Sequence, residues 1–168
     1  MPHLARHLPY EGTKVPALQT KADIDAMLHE FRILDKDKKK VIAEVKGIRW
    51  TDIPPLLPTL EFLVTYETVD GIRKTVGIRI QPPMTAKKIR KRGTYIIMNQ
   101  PDQSMRIMYW YLKSKLESIL YGLKDFSQEF LSDILVSLPN GNVETVGDII
   151  IPQIKESKIP MLTVREEV

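Results

Sequence analysis

The stretch LEFLVTYETVDGIRKTVGIRIQ, residues 60–81, constrains the fold more than any other part of the chain. Apolar and polar side chains alternate on both sides of Asp70-Gly71, which is the period of pleated backbone. An Asp-Gly pair suits a type I′ turn, because both of its central residues need positive φ. Closure by two residues pairs Val69 with Ile72, Glu67 with Lys74 and Leu63 with Ile78. The Glu67–Lys74 pair adds a few tenths of a kcal/mol to that register. The same register sets Arg79 opposite Phe62, on the face that carries Leu60, Val64 and Tyr66.

Other segments declare themselves by spacing. Thr20 with Asp23 three residues on has the form of a capping box. Ile24, Met27, Leu28, Phe31 and Leu34 then share one helical face, so a helix is expected over 21–34. DKDKKK, with Lys36, Lys38, Lys39 and Lys40 interleaved by Asp35 and Asp37, reads as a solvated loop. Val41, Ala43 and Val45 alternate as in a strand, with Ile48 and Trp50 continuing past a bulge at Gly47. IPPLLP is a rigid connection. MTAKKIRKRGT reads as a basic loop and TYIIMNQ as a fourth strand. A long helix is expected from Asp102 or Ser104 to Tyr121, with Gly122 as its C′ residue. Its apolar residues lie almost all round, which predicts cover on more than one side. A second helix is expected from about Ser127. A short strand, a turn at Pro139 to Asn142 and a return strand come next, before a helix that opens with Thr145 and Asp148 and runs to about Glu156. The fold class is α+β, with an antiparallel sheet of about four strands packed on the long helix and two or three shorter helices. The expected organisation is an extended arm over 1–19, one domain over 20–156 and an extended tail over 157–168.

The chain has 168 residues, 43% of them hydrophobic and 27% charged, which is the composition of one folded domain. It contains no cysteine, so disulfides, zinc ribbons and thiol nucleophiles are excluded. His3 and His7 have the i, i+4 spacing of a helical metal pair, but Pro2 and Pro9 bracket them, and no metal site or cofactor is expected. The start MPHLARHLPYEG has no apolar core of a signal peptide, and no window reaches the apolar length of a membrane helix. A cytoplasmic protein without membrane contact is the expectation. The net charge is +4, yet residues 71–101 hold eight Lys or Arg and no acid, so the rest of the chain is net −4.

Two stretches, TKVPALQTKADIDAMLHEF and WYLKSKLESILYGLKDFSQEFLSDILVSLPNGNVETVGDIIIPQI, carry a resemblance. They are similar to the TSVP…SRAEIE opening and the IKAKLE…FEEEFL…LPDGxTVG pattern of a family of uncharacterised phage- and prophage-encoded proteins. The matching positions toward the C-terminus are Lys113, Lys115, Leu116, Glu117, Phe126, Glu129, Phe130, Leu131, Leu138, Pro139, Gly141, Thr145, Val146 and Gly147. Where the family continues with acids after the Phe, this chain has Ser127 and Gln128. The resemblance covers a third to a half of the chain and skips the hairpin and basic loop. It implies a mobile-element context and no particular activity.

The basic loop is the leading functional candidate. Lys87, Lys88, Arg90, Lys91 and Arg92 put five cations within six residues, enough to neutralise several phosphates. Arg73, Lys74 and Arg79 could extend that patch, and Tyr95 could stack on a base. The competing reading is a surface loop kept basic for solubility. Tyr109, Trp110 and Tyr111 point in three directions on a helix and read better as core than as a stacking platform. Lys113 and Glu117 read as an i, i+4 surface pair. Asp125, Glu129 and Asp133 share one helix face and could converge on a metal as in a nuclease, although such a stripe is more often a wet helix face. No P-loop, GxSxG, HExxH or GxGxxG occurs. The function expected is therefore non-enzymatic. It is a phage-type accessory protein that binds nucleic acid, DNA before RNA, largely independently of sequence, in replication, recombination or genome handling. The alternative is a structural or protein-interaction subunit without nucleic-acid binding, an assembly component that joins copies of itself or other phage or host proteins, or an inhibitor of a host factor.

Overall fold

In the computed structural model, residues 3–4, 9–37, 39–52, 58–68, 70–156 and 158 are described. Strands β2 (Arg32–Leu34), β3 (Val41–Thr51), β4 (Thr59–Glu67) and β5 (Arg73–Ile80) form an antiparallel sheet in sequence order. The α+β class and an antiparallel sheet of four strands stand as expected, but its fourth strand is Arg32–Leu34 and not TYIIMNQ, which pairs in a separate sheet. The register of the central hairpin does not. Glu67 lies opposite Arg73, Phe62 opposite Ile78 and Glu61 opposite Arg79, one residue from the expected pairing. Thr68 N–H donates to the Ile72 carbonyl at 2.8 Å, so three residues close the turn, and Gly71 takes the left-handed conformation at φ 76°. The expected Val69–Ile72 pair falls on a residue outside those described. The observed register sets Leu60, Phe62 and Val64 against Ile80, Ile78 and Val76 on one face. The two-residue closure would have placed Arg79, Gly77 and Thr75 opposite Phe62, Val64 and Tyr66. Burial of one continuous apolar face selects the pairing.

The bulge at Gly47 is present. The β3–β4 register shifts between Lys46 and Ile48, and Gly47 has φ 64°. The shift returns Ile48 and Trp50 to the face of Val45, which packs toward the core. IPPLLP, apart from Pro58, lies outside the described residues.

Helix α1 (Ala17–Glu30) starts earlier and ends earlier than expected. Thr20 is not a cap but a buried residue in the first turns. The first free N–H is capped from another helix, because Ala17 N–H donates to Asp102 Oδ1 at 2.7 Å. Arg32–Leu34 leave the helical pattern to become β2, edge partner of β3. Helix α2 (Pro101–Leu120) runs beside α1, with Arg106 bound to Asp23 at 3.3 Å. It ends in a Schellman motif, where Gly122 N–H donates to Ile119 and Leu123 N–H to Ser118. Its cover is one-sided. Met105, Met108, Leu112, Leu116 and Ile119 are buried, while Trp110, Tyr111, Leu120 and Tyr121 are exposed. Of the three consecutive aromatics only Tyr109 packs against the core.

Ile24 and Leu28 of α1, Phe31 just after it, the inner faces of β4 and β5, the buried stripe of α2, and Phe126 and Phe130 make one core. Burying each such side chain stabilises the fold by about 1.5–3 kcal/mol. The helix expected from Ser127 is a single turn, α3 (Phe126–Glu129), followed by a 3-10 turn over Leu131–Asp133. Strands β8 (Leu135–Ser137) and β9 (Val143–Thr145) form the expected small hairpin, and α4 (Val146–Lys155) has the expected Thr145/Asp148 capping box. The expected tail lies outside the described residues, apart from Lys158. Among the described residues no helix is long and apolar enough to cross a membrane.

A candidate nucleic-acid interface

The basic segment is a strand, not a loop. Strands β6 (Thr85–Lys91) and β7 (Thr94–Asn99) form a second, antiparallel ribbon, and the short β1 (His3–Leu4) pairs parallel with the base of β6. The residues of MTAKKIRKRGT pleat because β7 offers an uncharged, apolar partner, TYIIMN. The turn at Arg92-Gly93 has φ 50° and 84°, with Lys91 opposite Thr94. This is the two-residue closure with positive φ at both positions that the sequence suggested for Asp70-Gly71.

Pleating divides the cations between the two faces of the ribbon. Lys87 and Lys91 share one face with Ile89, Ile96 and Met98. Lys88 and Arg90 share the other with Tyr95 and Ile97. Arg92 stands at the tip. All five cations are exposed, as are Tyr95 and Ile97 at 61% and 64%. No acid stands opposite them on β7, so cross-strand pairing neutralises none of them. Lys88 Nζ lies 4.7 Å from the Tyr95 ring centre, which holds both side chains to one side. Lys87 Nζ is 3.9 Å from Glu11 Oε1, a loose contact.

The base of the ribbon is anchored. Thr85 and Ser104 are both buried, and their hydroxyl oxygens are 2.7 Å apart. Thr85 N–H donates to Ser104 Oγ at 3.2 Å, and Gln100 N–H donates to the Thr85 carbonyl at 2.9 Å. The start of α2 thus pins the two strands where they leave the body.

The expected auxiliaries are elsewhere. Arg73, Lys74 and Arg79 belong to β5 in the four-stranded sheet. Arg73 binds Glu44 at 3.1 Å, and Arg79 Nε binds Glu61 Oε1 at 2.8 Å. Arg79 therefore lies opposite Glu61, not Phe62, and acts as an internal partner. Lys74 is exposed at the far end of β5, across from Tyr66.

The three acids Asp125, Glu129 and Asp133 do not converge on an open site. Asp125 caps α3 by accepting from Gln128 N–H at 2.7 Å. Glu129 and Asp133 instead converge on Lys115, whose Nζ is 3.7 Å from Glu129 Oε1 and 3.6 Å from Asp133 Oδ2. The same ammonium donates to the Glu129 carbonyl and lies over the rings of Tyr111 and Phe130. Burial pushes the Asp133 carboxyl above its ordinary pKa, although Lys115 opposes the shift. Among the described residues no group of three His, Cys, Asp or Glu could hold a metal ion. Sequence reasoning missed Lys115. Its position three residues after Leu112 and four before Ile119, on the buried stripe of α2, is the signal that could have found it.

The positions that carry the family resemblance have structural work. Gly141 turns the β8–β9 hairpin at φ 82°, and Thr145 caps α4. A Cβ on Gly147 would stand 2.9 Å from the Ser132 carbonyl oxygen. Ser127 Oγ is 2.9 Å from the Tyr66 hydroxyl, and Gln128 completes the α3 capping box, so both departures from the acidic run are used. Comparison of the chain with protein-family models, curated proteins and solved structures finds no match.

Proposed function

We propose that the protein is a non-enzymatic accessory factor that binds nucleic acid through the β6–β7 ribbon. The observation that carries this reading is an exposed two-stranded ribbon with five cations and no acid. Among the described residues the only acid these cations meet is Glu11, in its loose contact with Lys87. They are therefore available to an external anion, and phosphates arrayed along a backbone meet that need. Recognition would rest on phosphates more than on bases, because Lys and Arg on backbone phosphates position a protein without reading sequence. DNA is favoured over RNA. The resemblance of the flanking stretches to phage and prophage proteins supports a role in replication, recombination or genome handling, in the cytoplasm of a host.

The test is fluorescence anisotropy of labelled oligonucleotides across a salt series. Wild type is compared with a variant in which Lys87, Lys88, Arg90, Lys91 and Arg92 are all alanine. If all five contact phosphates, the log–log salt slope falls by about 4.5 in the variant. Indistinguishable curves, or no binding at low salt, would discard the proposal.

One observation favours the alternative, a subunit that assembles with copies of itself. A cleft of about 650 Å³ between α1 and α2 has an apolar floor that includes Met27, Tyr109 and Leu116, with Glu30 at its edge beside the ion pairs Asp23–Arg106 and Glu117–Lys113. Its apolar floor is a surface that the ribbon's Ile97 or Met98 on another copy could cover. Sedimentation without nucleic acid separates the readings, since the alternative requires a discrete, concentration-dependent oligomer.

A further inference from the structure

The distribution of charge over the ribbon narrows the ligand. A single strand lying on a protein surface meets one face, and a binder built for it keeps cations and stacking rings together on that face. Here one face does carry Lys88 and Arg90 with Tyr95, but Lys87 and Lys91 stand on the other and Arg92 at the tip, so a single strand on one face leaves cations unmet. Only an anion that surrounds the ribbon neutralises all of them together.

A groove of duplex DNA is such an anion, because phosphates line both of its walls. The B-form major groove is about 12 Å wide and 8.5 Å deep and admits a two-stranded β-ribbon. Two strands about 4.8 Å apart, with side chains extending to either side, fill that width. The major groove of A-form RNA is too narrow to be entered in this way. Thr85 and Ser104 hold the base, while Lys87, Lys88 and residues 90–95 toward and around the turn are exposed, as insertion requires. Lys87 would exchange its loose contact with Glu11 for a phosphate on insertion.

We infer that β6–β7 inserts into the major groove of double-stranded DNA, with Lys87 and Lys91 on one wall of phosphates and Lys88 and Arg90 on the other. Tyr95 and Ile97, which share the face of Lys88 and Arg90, then pack along that wall of the groove and not on an unstacked base. This rests on the nucleic-acid reading above and goes beyond it in naming duplex DNA and the mode of entry.

Two paired variants test it, Lys87→Ala with Lys91→Ala and Lys88→Ala with Arg90→Ala. All four side chains are exposed, and unchanged circular dichroism confirms folding. Each variant is titrated against duplex DNA, single-stranded DNA and duplex RNA of one sequence. The expected result is tightest binding to duplex DNA, with each pair lowering the salt slope by about 2. Each variant then loses roughly tenfold less affinity than wild type between 50 and 200 mM salt. Methyl green, which occupies the major groove, competes, and netropsin, which occupies the minor groove, does not. Preference for the single strand, or an effect confined to one pair, overturns groove insertion while leaving nucleic-acid binding intact. No binding to any of the three ligands removes both.

Discussion

Glu61 and Lys115 are two charged residues drawn into the body, and each is held by partners of opposite sign. Glu61 accepts from Arg79 at 2.8 Å and also bonds Arg49. Burial acts to raise its carboxyl pKa, but the hydrogen bonds from Arg79 and Arg49 and their charges outweigh it and hold the carboxyl below the ordinary value. A carboxyl whose folded pKa is depressed contributes stability above its unfolded pKa of about 4.3 and loses it as pH falls through the folded value. Glu61→Gln is therefore expected to cost about 1 kcal/mol at pH 7. Urea denaturation at pH 7, 5 and 3 should show the gap to wild type narrowing with acid. A gap constant to pH 3 would mean that the Glu61 charge is not what the two arginines hold. Asp133 has the opposite sign. Its pKa is raised, so its ionisation is resisted as pH climbs, and Lys115 limits the loss. Neither partner could be read from local sequence, because Glu61 meets Arg79 across a register and Lys115 meets Asp133 across a loop.

At the scale of elements, the legible parts were those whose pattern is local and repeated. The alternation over residues 60–80, the bulge at Gly47, the span of α2 and the capping box of α4 all follow from spacing within one segment. The expectations that failed depended on a neighbour. The basic run pairs as a strand because β7 lies beside it, and Asp70-Gly71 closes three residues because the apolar faces must coincide. The five cations of the candidate site were legible as a group, but their division between two faces required the pairing. Packing between elements is testable at Gly147, where α4 meets the 3-10 turn. Gly147→Ala sets a methyl group 2.9 Å from the Ser132 carbonyl oxygen, and overpacking of this kind costs about 1–3 kcal/mol. Gly141→Ala serves as the control, since it faces open space and pays only left-handed strain of about 1–2 kcal/mol. Thermal denaturation should lower the midpoint more for Gly147→Ala. Equal losses would place the cost in backbone freedom and not in the contact.

Over the whole molecule, one core holds together parts that lie far apart in the sequence. Residues on both sides of the ribbon, from Ile24 through Ile80 and from Met105 through Phe130, interlock in it, while the ribbon beyond its anchored base adds nothing to that cluster. Positive charge is concentrated in the segment 71–101, and the remaining chain is net negative, so the ribbon leads any approach to a polyanion. The same five cations are also the residues after which trypsin cuts, and the ribbon has no core packing to keep its strands closed against a protease. Brief digestion should nick the chain between Lys87 and Arg92 into two pieces that separate only under denaturing conditions, because each piece carries half of the core. A molecule nicked there should keep its thermal midpoint while losing the nucleic-acid binding proposed for the ribbon. Saturating duplex DNA should preserve the intact chain. On that outcome the ribbon is expendable to folding, and one cleaved peptide bond would remove the proposed binding while leaving the body whole.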